Sequence, residues 1–165
     1  MARVDVDQDQ VFAAIIALLR TELGLEENQC YETLYPDSPA IPPGGEFFVT
    51  VAPGPSVFDE EMQVGGGAEQ CSEDMQVIVT IYTRTHLDQT DHDHQLMHHE
   101  TVGFSALKKR VLKSLVDADP QIPSGDEFLR QTIKVISADK PEHDRKQGIA
   151  WMGIYFRVAW DWDLS

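Results

Sequence analysis

The sequence predicts an α+β fold: a mostly antiparallel, mixed sheet of about four to five strands with two helices packed on one of its faces. Three observations carry that expectation. Apolar residues recur at helical spacing near residues 8–23 and again near 94–116. Between and after these stretches the period turns to two. The last of the period-two stretches, Gly148 to Leu164, holds all three tryptophans of the chain and has one wholly apolar face: Ala150, Met152, Ile154, Phe156, Val158, Trp160, Trp162 and Leu164. Its opposite face, from Ile149 and Trp151 through Tyr155 and Arg157 to Asp161 and Asp163, drifts from aromatic to acidic. A large core is therefore expected around the very end of the polypeptide.

The elements follow in order. Asp7 with Gln10 three residues later resembles a capping box, Val11 to Leu23 supply an apolar stripe, and Gly24 is a C-terminal stop, which gives a first helix over roughly 8–23. Leu25 to Gly45 carries Pro36, Pro39, Pro42, Pro43 and the Gly44-Gly45 pair, so it reads as a long loop whose Tyr31 and Tyr35 pack on something, its own domain first. Glu46 to Ala52 reads as a strand, Pro53-Gly54-Pro55 as a sharp turn and Val57 to Val64 as a weaker second strand. A hairpin tip at 65–73 opens with three glycines, and Asp74 to Thr85 follows as the central strand. The second helix, about 94–116, shows Met97, Phe104, Leu107, Val111 and Leu115 as a stripe. A loop with Pro120 and Pro123, a strand over Phe128 to Ile136 and a charged connection from Ser137 to Gln147 lead to the final strand.

At 165 residues and 42% hydrophobic composition, the whole of 1–165 makes one domain that can bury its own core. The longest apolar run, Val11 to Leu19, is too short to span a bilayer, and Asp5, Asp7 and Asp9 stand where a secretory signal wants positive charge; a soluble protein assembled in a cytoplasm is expected. Cys30 and Cys71 are expected as reduced, non-catalytic thiols. The formal net charge is −15, and residues 1–83 hold two basic against fifteen acidic side chains, whereas residues 84–165 hold eleven against thirteen. Such a chain repels nucleic acid and anionic membranes at long range. The imbalance fits plain solubility, and it equally fits a surface that faces DNA without adsorbing it.

Few residues suggest chemistry. The glycine triplet Gly65-Gly66-Gly67 lacks the following Lys and Ser or Thr of a phosphate cradle, since Ala68, Glu69 and Gln70 come next. His94, His98 and His99, with Asp88, Asp91 and Asp93 nearby, could hold a metal, because residues four apart share a helix face. The segment is not the HExxH pattern, and aspartates before a helix serve first as caps. Lys108, Lys109, Arg110 and Lys113 form the main basic patch, which is either solvated or one half of a contact between subunits. With no nucleophile and base signature, no phosphate loop and no dinucleotide fingerprint, the expectation is a protein that is not an enzyme and needs no cofactor.

The runs Phe47-Phe48-Val49-Thr50-Val51-Ala52-Pro53-Gly54, Val77-Ile78-Val79-Thr80-Ile81-Tyr82-Thr83-Arg84 and Phe156-Arg157-Val158-Ala159-Trp160-Asp161-Trp162-Asp163, with the acidic strand ending in Gly65-Gly66-Gly67, resemble the tail terminator (tail completion, minor tail) proteins of long-tailed bacteriophages. The resemblance spans most of the chain, and it rests on architecture and residue texture. It implies a tail-tube-like fold and a homo-hexameric ring on the head-proximal end of the tail tube. That ring stops tube elongation and presents a surface to the neck or head-completion protein, with DNA only passing through its lumen. Under this reading Lys108, Lys109, Arg110, Lys113, Tyr31 and Tyr35 are expected at a subunit or tube interface. Asp59, Glu60, Glu61, Glu69, Glu73 and Asp74 are expected to line the lumen or face the tube. Two alternatives stay open: a neck or head-closure ring protein of the same connector, and a small metal-dependent module using His94, His98 and His99.

Overall fold

The computed structural model describes residues 6–58, 70–84, 92–121, 128–129, 131–144 and 146–163. Helix α1 (Gln8–Leu23) starts on the expected capping box: the Asp7 side chain accepts from the backbone of Gln10, whose own side chain accepts from the Asp7 N–H at 2.9 Å. It stops at Gly24, whose φ of 65° is the left-handed conformation that glycine adopts without a Cβ clash. A 3-10 turn (Glu27–Gln29) leads into β1 (Cys30–Glu32), which lies parallel to β2 (Phe47–Phe58). Strands β3 (Gln70–Arg84) and β6 (Ile149–Asp163) are 15 residues each and pair antiparallel over their whole length. Helices α2 (His92–His98) and α3 (Phe104–Leu115) separate β3 from two short strands, β4 (Lys134–Ala138) and β5 (Glu142–Asp144), which both pair with the outer edge of β6. The sheet order is β1-β2-β3-β6-β4, with β5 beside β6, and among the described residues only the β1 to β2 pairing is parallel.

One face of this six-stranded sheet carries the main core. Val49 and Val51, Met75, Val77, Val79 and Ile81, and Ala150 to Trp160 at every second position meet the apolar stripes of α1 and α3. Those stripes are Val11, Phe12, Ile15, Leu19 and Leu23 on α1, and Phe104, Leu107, Val111 and Leu115 on α3. Both helices lie on this one face, as the periodicities require.

Several expectations are corrected. Pro53-Gly54-Pro55 is not a turn: β2 runs straight through it, with a register shift between Pro53 and Ser56. The Val51 carbonyl points outward, to the Thr33 N–H at 2.9 Å, so two residues on the missing N–H of Pro53 also faces the outer edge and removes no bond to β3. Gly54 lies against β3, where a Cβ would come within 2.9 Å of the Gln76 carbonyl. Beyond Phe58, the rest of the weaker strand expected to Val64 and residues 65–69 of the expected hairpin tip lie outside the described residues, whereas residues 70–73 of that tip belong to β3, which starts four residues earlier than expected. The helix expected over 94–116 is two helices, because the chain turns between His99 and Gly103. There a Cβ on Gly103 would sit 2.5 Å from the His99 nitrogen. The strand expected over 128–136 is a single bridge at Leu129, opposite Trp160, and then β4. Finally, the charged connection from Ser137 to Gln147 contains β5.

Candidate functional site

The second face of the sheet carries the site, and its first layer is a small apolar cluster. Phe48, Tyr82 and Ile149 are buried there with Tyr31 and Trp151 packed against them, and the Phe48 and Tyr82 rings stack at 4.5 Å and 3°. Across this cluster runs the proline-rich arm, residues 33–45. The arm has no ladder of its own, so its carbonyls need other donors. Three side chains from the sheet supply them. Tyr31 donates to the Ala40 carbonyl, Tyr82 donates to the Pro36 carbonyl, and Arg84 forks to Pro42 at 2.6 Å, Gly45 at 2.8 Å and Gly44 at 3.1 Å. The arm therefore packs on its own domain, with Tyr31 among its anchors.

Beside the arm is a cavity of about 220 Å³ bounded by Asp37, Ile78, Asp139, Glu142, Trp151 and Tyr155. Gly153 makes room for it. A Cβ there would lie 3.0 Å from Asp139 Oδ2, while the Asp139 N–H donates to the Gly153 carbonyl at 2.8 Å. Tyr155 donates its hydroxyl to the same Asp139 oxygen at 2.7 Å, and that bond, with desolvation and the charges of Asp139 and Asp37, pushes the phenol up to about 12. Burial pushes Tyr82 up to about 12 as well, and it raises Tyr31. None of these phenols is set up to ionise near neutrality.

The residues singled out from the sequence are scattered. Tyr31 is an anchor of the arm, whereas Tyr35 is 72% exposed on its outer side beside Leu34. On α3, Lys109 is exposed, Arg110 donates to the Glu22 carbonyl at 3.1 Å and Lys113 stands 3.8 Å from the Glu22 carboxylate, so half of the basic patch leans on α1. Glu73 departs from its expected place facing a lumen: it is 5% exposed, on the helix side of β3, where its carboxylate accepts the Trp162 indole N–H at 2.6 Å. Asp74, on the other side, pairs with Arg157 across the β3 to β6 ladder. Asp59, Glu60, Glu61 and Glu69 lie outside the described residues.

The histidines have local roles. His94 and His98 stand one helical turn apart with ring centroids 5.1 Å apart. His99 does not join them, because its Nδ1 accepts from the Thr101 and Val102 amides at 3.2 and 3.3 Å and so stabilises the turn into α3. Among the described residues no group of three or more His, Cys, Asp or Glu side chains is placed to hold a metal ion. Asp88 and Asp91 lie outside them. The residues that the sequence did not single out are Asp37, Asp139 and Tyr155 with Trp151. One signal pointed to them: a lone glycine, Gly153, inside a long strand marks a close approach.

No family model and no curated protein matches the sequence. Among solved structures, the chain is similar to one from the virion of a native gene transfer agent particle, with a TM-score of 0.52 at 17% identity. The match covers 93% of this chain and 96% of the other. The α+β architecture, from α1 to β6, is thus a fold that a virion protein also uses.

Proposed function

We propose that this chain is a structural protein of a tailed, phage-like virion, and within it the tail terminator. It closes into a ring, with six copies as the family resemblance implies, that caps the head-proximal end of the tail tube. The ring stops tube elongation and offers its free side to the neck or head-completion protein. The observation that supports this most is the end-to-end likeness of the fold to a virion chain, with 93% and 96% of the two chains covered.

The surface chemistry fits the reading. A head-to-tail contact repeated about a closing rotation needs two different complementary patches on each copy. The exposed Lys109 with its neighbour Lys108 on α3 is one candidate, and the acidic segment Asp59-Glu60-Glu61 with Glu69 is the other. If the segment instead faces the lumen, a negative wall lets DNA slide past, because it releases no counterions from it, and the complement of the lysines lies elsewhere. The role is architectural and calls for no cofactor and no catalysis. Assembly takes place in the host cytoplasm, and the mature location is the virion.

The test is to add gold-labelled chain to head-free tail tubes and image them by electron microscopy. The terminator reading expects label at one end of each tube and at no other place. Label at neither end, or along the tube wall, overturns it.

A further inference from the structure

We propose that the cavity between the arm and β6 is a receptor for one arginine side chain projecting from a different protein. Its walls combine two chemistries that a guanidinium uses together. Trp151 and Tyr155, two residues of the same sheet face four apart on β6, offer flat aromatic surface, over which a delocalised cation stacks. Asp37, from the arm, and Asp139 and Glu142, from either side of the turn between β4 and β5, offer carboxylates to a donor fork.

The charge at the cavity is unbalanced. Among the described residues bounding it, Lys140 is the sole cationic group, and it makes no ion pair with the three carboxylates. Asp139 is held in place by Tyr155 and by its own backbone bond to Gly153, so one acceptor is oriented before any ligand arrives. The Asp37 and Glu142 carboxylates have no hydrogen-bond partner among the described residues. At about 220 Å³ the space suits one long side chain and excludes a helix or a strand.

Each of the four arginines among the described residues already has an internal partner, which leaves none of these four to fill the cavity. Arg20 donates to the Glu27 and Cys30 carbonyls, Arg84 to the arm, Arg110 to Glu22 and Arg157 to Asp74. The site needs no ring and stands independently of the terminator reading.

The experiment titrates the isotope-labelled full chain with three capped peptides, Gly-Arg-Gly, Gly-Lys-Gly and Gly-norleucine-Gly, following the Trp151 indole signal by NMR. The signal is assigned by loss in Trp151→Phe. The arginine peptide is expected to move the signal saturably in the millimolar range, with the lysine peptide at least about threefold weaker and the norleucine peptide without effect. Asp37→Asn, which leaves the Tyr155 to Asp139 hydrogen bond in place, and Asp139→Asn should each weaken the arginine peptide about fivefold, and about 0.5 M NaCl should do the same. Absence of a saturable shift, an equal response to norleucine or lysine, or indifference to both asparagine variants overturns the assignment. So does a Trp151 signal that moves on dilution without peptide, since the cavity would then be filled by a second copy.

Discussion

Replacing Arg84 by alanine removes three of the five hydrogen bonds through which sheet side chains hold the carbonyls of the proline-rich arm. Each bond to a charged donor is worth about 1.5–3 kcal/mol when buried, but the Gly44 and Gly45 partners are exposed and water replaces the lost donor. The net cost is therefore about 1–3 kcal/mol, concentrated on residues 41–45, because Tyr31 and Tyr82 still anchor Ala40 and Pro36. When opening is fast relative to cleavage, proteolysis follows the open population, so proteinase K should cut the variant between residues 41 and 46 about five- to a hundredfold faster than the parent. Arg84→Lys, which keeps the charge and loses the fork, should fall between the two. If Arg84→Ala is cleaved at the parental rate, the arm is not held by its carbonyls and the account of the second face is wrong.

Further outcomes follow from the same geometry. Gly153→Ala pushes a methyl group against Asp139, so it should break the Tyr155 bond and bring the phenol down from about 12 toward its ordinary value in a spectrophotometric titration; an unchanged Tyr155 refutes this. For Tyr82, the folded protein holds its proton more tightly than the unfolded chain does. Stability is then fully present below pH 10 and is lost as pH rises from 10 toward 12, which denaturant melts across that range should record. Leu107→Ala, at a fully buried position on α3, should cost about 2–5 kcal/mol and lower Tm by about 5–15 °C, read by calorimetry. Cys30 is buried, and burial pushes its thiol up to about 11 against a smaller lowering by Arg20, so a thiol reagent should modify Cys71 first and reach Cys30 only on unfolding.

Much of the fold was legible in the sequence because local signals and tertiary packing agreed there. The capping box at Asp7, the stop at Gly24 and the two-faced pattern of β6 each specify the element that forms. Failure came where backbone chemistry and packing disagreed. Pro53 and Pro55 signal a turn, yet Pro53 is tolerated in β2 because its ring points away from the paired neighbour. The helical periodicity over 94–116 continues through a break that is visible only once Gly103 is seen packed against His99. Strand β1 is three residues long and pairs in parallel with residues 19 positions further along the chain, a contact that no local pattern encodes. The cavity was hidden for the same reason: Asp37, Asp139 and Trp151 belong to three separate segments, and only Gly153 hinted at their approach. Glu73, read as one acid among many in a hairpin, is turned inward by strand alternation, which places it on the same face as Met75 and Val77.

The central claim is a closed ring that caps a tube, and sedimentation velocity tests it most directly. The full chain is run alone over a wide concentration range and again with head-free tail tubes. The account predicts a species near six times 18.6 kDa in solution, or six copies per tube sedimenting with the tubes. A monomer of 18.6 kDa under both conditions, with none carried down by the tubes, contradicts it.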